Sequence, residues 1–88
     1  MEIEFDPSKS ERNAQERGLP FSAVDEFDWT TALVVEDDRA DYGETRMFAL
    51  GFIGDRLHAL VFTMRGEACR VISLRRANDR EVAHYDEA

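Results

Sequence analysis

The sequence predicts an α+β domain in which helices lean on a mostly antiparallel sheet, in the order β-α-α-β-β-β-β-α. Three observations carry that class. Residues 45 to 75 hold three runs of strand length, rich in β-branched and aromatic residues and separated by the turn pairs Gly54-Asp55 and Arg65-Gly66. Two segments with helix signals precede them, and a third closes the chain. With 88 residues there is one domain, spanning 1 to 88, and one core of modest size.

Each element has its own chemistry. Glu2-Ile3-Glu4-Phe5-Asp6 alternates as a short edge strand does, and Asp6-Pro7 ends it. Aspartate caps an orphan helix amide, and proline loses nothing at the first helical position, so a helix is expected from Pro7 to Arg17 with Gly18 as its left-handed cap. Between Ser8 and Arg17 only Ala14 is apolar, which places this helix at the periphery. After Pro20, the spacing of Phe21, Val24 and Phe27 predicts a second, shorter helix with those side chains against the sheet. Trp29 to Glu36 reads as a strand, followed by an acidic loop over residues 36–44.

The meander then runs Thr45 to Ile53, Arg56 to Met64 and Glu67 to Arg75. Beyond it, Asn78 is a suitable N-cap, Asp79 and Glu81 suit the positive end of a helix dipole, and Val82 and Tyr85 can rest on the sheet.

Charge and cysteine content narrow the function. The net charge is −8, but residues 1 to 44 hold thirteen acids against four bases, and residues 45 to 88 hold six against seven. Ten of the eleven bases are arginine, the side chain suited to forked recognition of phosphate or carboxylate. A single cysteine, Cys69, excludes an internal disulfide and fits a reducing compartment. No stretch approaches the roughly 18 apolar residues of a membrane span, and no secretory leader pattern opens the sequence, so the expected location is the cytoplasm.

The sequence offers no cofactor motif. Asp37, Asp38 and Asp41 lack the alternating spacing of a calcium loop, and Gly43 follows them instead of standing among them. One cysteine with the distant His58 and His84 does not make a zinc site. Cys69 lies mid-strand among apolar residues, as structural thiols do. Neither a phosphate-binding glycine loop nor a nucleophile elbow occurs.

A family resemblance rests on segments that follow one another in order. They are Phe5-Asp6-Pro7-Ser8-Lys9 with Asn13 and Gly18, then Phe21 and Phe27, then Ala32-Leu33-Val34-Val35-Glu36-Asp37-Asp38-Arg39. Gly43-Glu44-Thr45-Arg46, Leu50-Gly51 and Thr63-Met64-Arg65-Gly66 come next, and Arg70-Val71-Ile72-Ser73-Leu74-Arg75-Arg76-Ala77 closes the series. Together they resemble the BrnT family of toxins over nearly the whole chain. The sequence departs from that pattern at Glu16-Arg17-Gly18, where many members have Lys-His-Gly, and at Phe5, where they have Trp.

The resemblance implies a RelE-like fold and a ribonuclease toxin of a type II toxin–antitoxin pair. It further implies RNA cleavage without a metal or other cofactor, growth arrest, and a small ribbon–helix–helix-like antitoxin as partner, in a dimer or heterotetramer. The alternative is a non-catalytic or decayed module that binds a partner protein through the same domain.

Cleavage by a ribose 2′-hydroxyl requires cations for the phosphate and a group that moves protons. The expected catalytic residues are Arg65, Arg70 and Arg75 as phosphate-stabilising groups, with Glu44 or His58 as proton carrier; Lys9, Arg12 and Arg76 are expected to supply further positive charge for RNA. Strand parity sets Thr63 with Arg65 on one face. The turn length then decides whether the Arg70 face or the Ser73 and Arg75 face joins them.

Overall fold

Five strands hydrogen-bond in the order β1-β5-β4-β3-β2. They are β1 (Glu2–Glu4), β2 (Leu33–Asp37), β3 (Arg46–Ile53), β4 (Arg56–Arg65) and β5 (Ala68–Arg76). Helices α1 (Pro7–Arg17) and α2 (Asp79–Glu87) and a 3₁₀ segment (Phe21–Glu26) complete the chain. This is a computed structural model that describes residues 1–39 and 41–88; Ala40, within the expected acidic loop, lies outside the described residues. The α+β class and the mostly antiparallel sheet are as expected: β2 to β5 pair antiparallel, and β1 joins β5 in parallel.

The expected second helix is corrected to 3₁₀ geometry. Phe21, Val24 and Phe27 recur every third residue, which is the period of a 3₁₀ turn and not of an α-helix. All three are buried at the centre of the main core with Ala49, Leu60 and Leu74. The strand expected from Trp29 begins only at Leu33. Asp28 holds the intervening residues in a turn, its Oδ1 accepting from the Thr30 amide at 3.0 Å and from the Thr30 hydroxyl at 2.6 Å. This side-chain competition for backbone donors interrupts an otherwise β-prone run. Trp29 instead packs edge-on against Phe27 and Phe62.

Helix α1 buries only Ser10 and is capped as its sequence requires. The Asp6 carboxylate accepts from the Ser8 amide at 2.9 Å, and Gly18 adopts φ 70. Two polar bonds fix the helix in place: the Phe21 amide donates to Ser10 Oγ at 2.9 Å, and Asn13 Nδ2 donates to the Leu74 carbonyl at 2.9 Å. The second of these occupies a carbonyl on the part of β5 that β1 does not reach, which blunts an exposed sheet edge.

The two sheet faces differ. The 3₁₀ segment, through Phe21 and Val24, and the extended Phe27 that follows it cover one face, packed on Ala49, Leu60, Phe62, Val71 and Leu74. On the other face, α2 covers only one end, where Tyr85 meets a small cluster of Leu50, Leu57 and Ala59. The rest of that second face is open.

A bulge determines what the open face displays. The Gly66-Glu67 turn pairs Arg65 with Ala68 and Thr63 with Arg70, but Phe62 pairs with Val71 while Val61 pairs with Ser73. Ile72 is therefore left without an opposite partner.

An arginine-lined open face as candidate active site

Directly paired residues of antiparallel strands share a face, as do residues two apart along one strand. Thr63, Val61 and Ala59 of β4 pair with Arg70, Ser73 and Arg75 respectively. All of these, with Arg65, therefore lie on the open face. The sequence offered the Arg70 set or the Arg75 set as alternatives; the bulge brings both to the same side. From the neighbouring strands, Arg46 of β3 stands two residues from Phe48, and its partner Asp37 holds Arg39.

Five arginines thus gather on one face. A recess of about 250 Å³ among them is lined by Arg39, Arg46, Phe48, Val61, Ser73 and Arg75, with Ala59 and Ile72. Arg39 and Arg46 were not among the residues expected from sequence. The alternation of Arg46, Phe48 and Leu50 was the available signal for the second of them; Arg39 lies beyond its strand, where parity says nothing.

Each of these arginines faces a carboxylate. Arg75 makes a forked pair with Glu81 of α2 at 2.7 and 2.9 Å. Arg39 does the same with Asp37 at 2.7 and 2.8 Å. Arg70 reaches Glu4 at 3.5 Å, and Glu44 stands 3.9 Å from Arg65 and 4.0 Å from Arg46. The forked pairs shift the titrations as hydrogen bonding to a charged form must. Arg75 holds Glu81 below the ordinary carboxylate range, and Arg39 does the same for Asp37.

Arg46 differs from the others. Its guanidinium lies 3.9 Å from the Tyr42 ring centroid, and its buried Nε has no hydrogen-bond partner among the described residues.

The two candidate proton carriers fall in different places. Glu44 stands at the arginine end of the open face, between Arg46 and Arg65. His58 pairs with Gly51 and Arg76 on the covered side and is only 4% exposed. Its Nδ1–H donates to the Arg56 carbonyl at 2.8 Å, and burial lowers its pKa, so the ring is neutral. His58 is not among the residues that converge around the recess.

The three residues expected to add charge for RNA also lie apart from the recess. Lys9 and Arg12 line a shallow hollow of about 200 Å³ with Asn13 and Arg17 on the α1 side of β5. Arg76 shares the His58 side of the sheet. Cys69 is buried in the main core, which pushes its thiol up to about 11. Among the described residues no three His, Cys, Asp or Glu side chains are grouped closely enough to hold a metal ion. Nor is any helix long and apolar enough to cross a membrane.

The fold is a small α+β domain whose open sheet face gathers five arginines, each set against a carboxylate. A family model described as "Ribonuclease toxin, BrnT, of type II toxin-antitoxin system" matches residues 5–81. The chain belongs to the BrnT family, a family of type II toxin–antitoxin ribonuclease toxins, and membership implies a cognate antitoxin as partner. Neither curated proteins nor solved structures gave a match.

Proposed function

We propose that this chain is an RNA-cleaving toxin whose active site is the open sheet face, working without a metal on a RelE-like scaffold. The observation that carries this reading is the convergence of Arg39, Arg46, Arg65, Arg70 and Arg75 on one face. In the reaction, a ribose 2′-hydroxyl attacks the adjacent phosphorus, the bond to the 5′-oxygen breaks, and a 2′,3′-cyclic phosphate and a 5′-hydroxyl result. Negative charge builds on the non-bridging oxygens, where fixed guanidinium groups stabilise it most. Arg65, Arg70 and Arg75 are assigned that role, with Arg39 and Arg46 beside them.

Glu44 is the proposed proton carrier because it is the expected carrier that stands among these arginines. As a carboxylate it takes the 2′-hydroxyl proton, and water gives the departing 5′-oxygen its proton. Arginine retains its proton too firmly to do so. Lys9, Arg12 and Arg76 extend the positive surface for RNA away from the site. The partner that silences the enzyme is a small ribbon–helix–helix-like antitoxin in the cytoplasm, and the acidic first half of the chain suits a basic partner surface in a dimer or heterotetramer.

Inducing the chain alone in a bacterial host tests this directly. Growth arrest with RNA cleavage is expected, and Arg65→Ala and Arg75→Ala should each abolish cleavage while leaving the fold nearly intact, since surface truncations seldom cost much stability. Unchanged cleavage in the double variant would remove both from the active site.

The pairing of every face arginine with a carboxylate favours one second reading, a domain that binds a protein partner through those ion pairs without catalysis. Normal growth with a folded, soluble chain would select it.

A further inference from the structure

The arginines are not spread evenly over the open face. Val35 pairs with Phe48, Phe48 with Val61, and Val61 with Ser73, so these four residues form one straight row across β2, β3, β4 and β5. At the ordinary strand spacing the row is about 14 Å long. Three of its members are apolar, and Val35 is 58% exposed. Arg46 and Arg70 lie on one side of the row, and Arg75 on the other. Phe48 lies at the centre and lines both adjoining recesses, of about 250 and 320 Å³, together with Arg39 and Arg75.

An apolar strip with one aromatic ring, Phe48, and guanidinium groups on both sides matches one ligand chemistry well. Unpaired bases present flat π-faces for the strip, and the phosphates that join them find cations beside it. A duplex hides those faces. We propose that Val35, Phe48 and Val61 form a base-stacking platform, with Phe48 as the residue that positions RNA, so that a single strand crosses the β-strands along this row. The proposal rests on the RNA reading above and deepens it: the arginines neutralise the backbone, and Phe48 selects unpaired bases and sets the register in which a phosphate meets Arg75.

The test uses the full chain and three non-cleavable fluorescent probes: a short 2′-O-methyl single strand, an abasic strand of equal length and charge, and a duplex. The single strand should bind about 5- to 150-fold tighter than the abasic strand, the range that stacking a base supplies. Phe48→Leu keeps an apolar side chain without the ring and should erase that preference without changing abasic binding, whereas Phe48→Tyr should retain it. Circular dichroism on each variant keeps loss of fold distinct from loss of stacking.

Equal affinity for the single strand and the abasic strand, or a duplex bound as tightly as the single strand, would overturn the platform and leave the arginine face standing. Failure of all three probes to bind would remove the RNA reading, and the platform with it.

Discussion

At the scale of single residues, Glu81 and His58 carry the clearest consequences. Glu81 accepts from both Arg75 nitrogens and from the Asn78 amide, so one carboxylate caps a helix and neutralises a site arginine. Glutamine preserves the capping box and removes the charge. Glu81→Gln should therefore raise affinity for the non-cleavable single strand several-fold, with a steeper salt dependence, measured by fluorescence anisotropy; unchanged affinity would show that Arg75 does not meet phosphate.

His58 titrates as a buried base. Burial lowers its folded pKa below the ordinary 6.5, so the unfolded chain binds the proton first as pH falls. Stability should be level above about 6.5 and decline below it through the depressed folded value. His58→Gln should flatten that decline in thermal melts across pH 5 to 8. A decline of equal slope in the variant would move the cause to another group. Arg70 and Arg75 were visible in the sequence, but their common face was not, because nothing in the residue pattern announces a bulge at Ile72.

At the scale of elements, helix caps and strand hairpins were legible because each has local chemistry. Asp6, Pro7 and Gly18 bound α1, and Asn78 with Glu81 forms a complete capping box on α2. The failures came where a residue outside the pattern decided the outcome. Asp28 diverted Trp29 to Thr31 from the strand, and a three-residue spacing was assigned to the wrong helix type.

Gly51 shows a tertiary constraint that the sequence hides. A Cβ there would run into the Phe27 ring, so Phe27, just past the 3₁₀ segment, rests directly on the β3 backbone. Gly51→Ala should destabilise the fold by about 1–3 kcal/mol in urea titration, the range for forcing extra volume into a packed site. Phe62→Ala, beneath Trp29, should cost about 3–5 kcal/mol. A change below 1 kcal/mol at either position would mean that the core there is loosely closed.

At the scale of the molecule, the acidic total and the arginine face reconcile. Glu4 and Glu44 of the acidic first half stand against Arg70, Arg46 and Arg65 of the second, while Asp37 with Arg39 and Glu81 with Arg75 pair within one half, so every arginine of the face has a carboxylate beside it. RNA must displace those carboxylates, which predicts weak binding at physiological salt and sharply tighter binding as salt is lowered. A salt-independent isotherm would contradict the phosphate assignment.

The bulge has a consequence for editing the chain. Because Ile72 has no opposite partner, a chain lacking it would still pair Val71 with Phe62 and Ser73 with Val61, and every side chain beyond would keep its side of the sheet. Removing Leu60 from β4, where no spare residue exists, would invert the rest of that strand and put Leu57 where His58 belongs. The Ile72 deletion should thus yield a folded chain and the Leu60 deletion an insoluble one: β5 carries a spare letter in its reading frame, and its neighbour carries none.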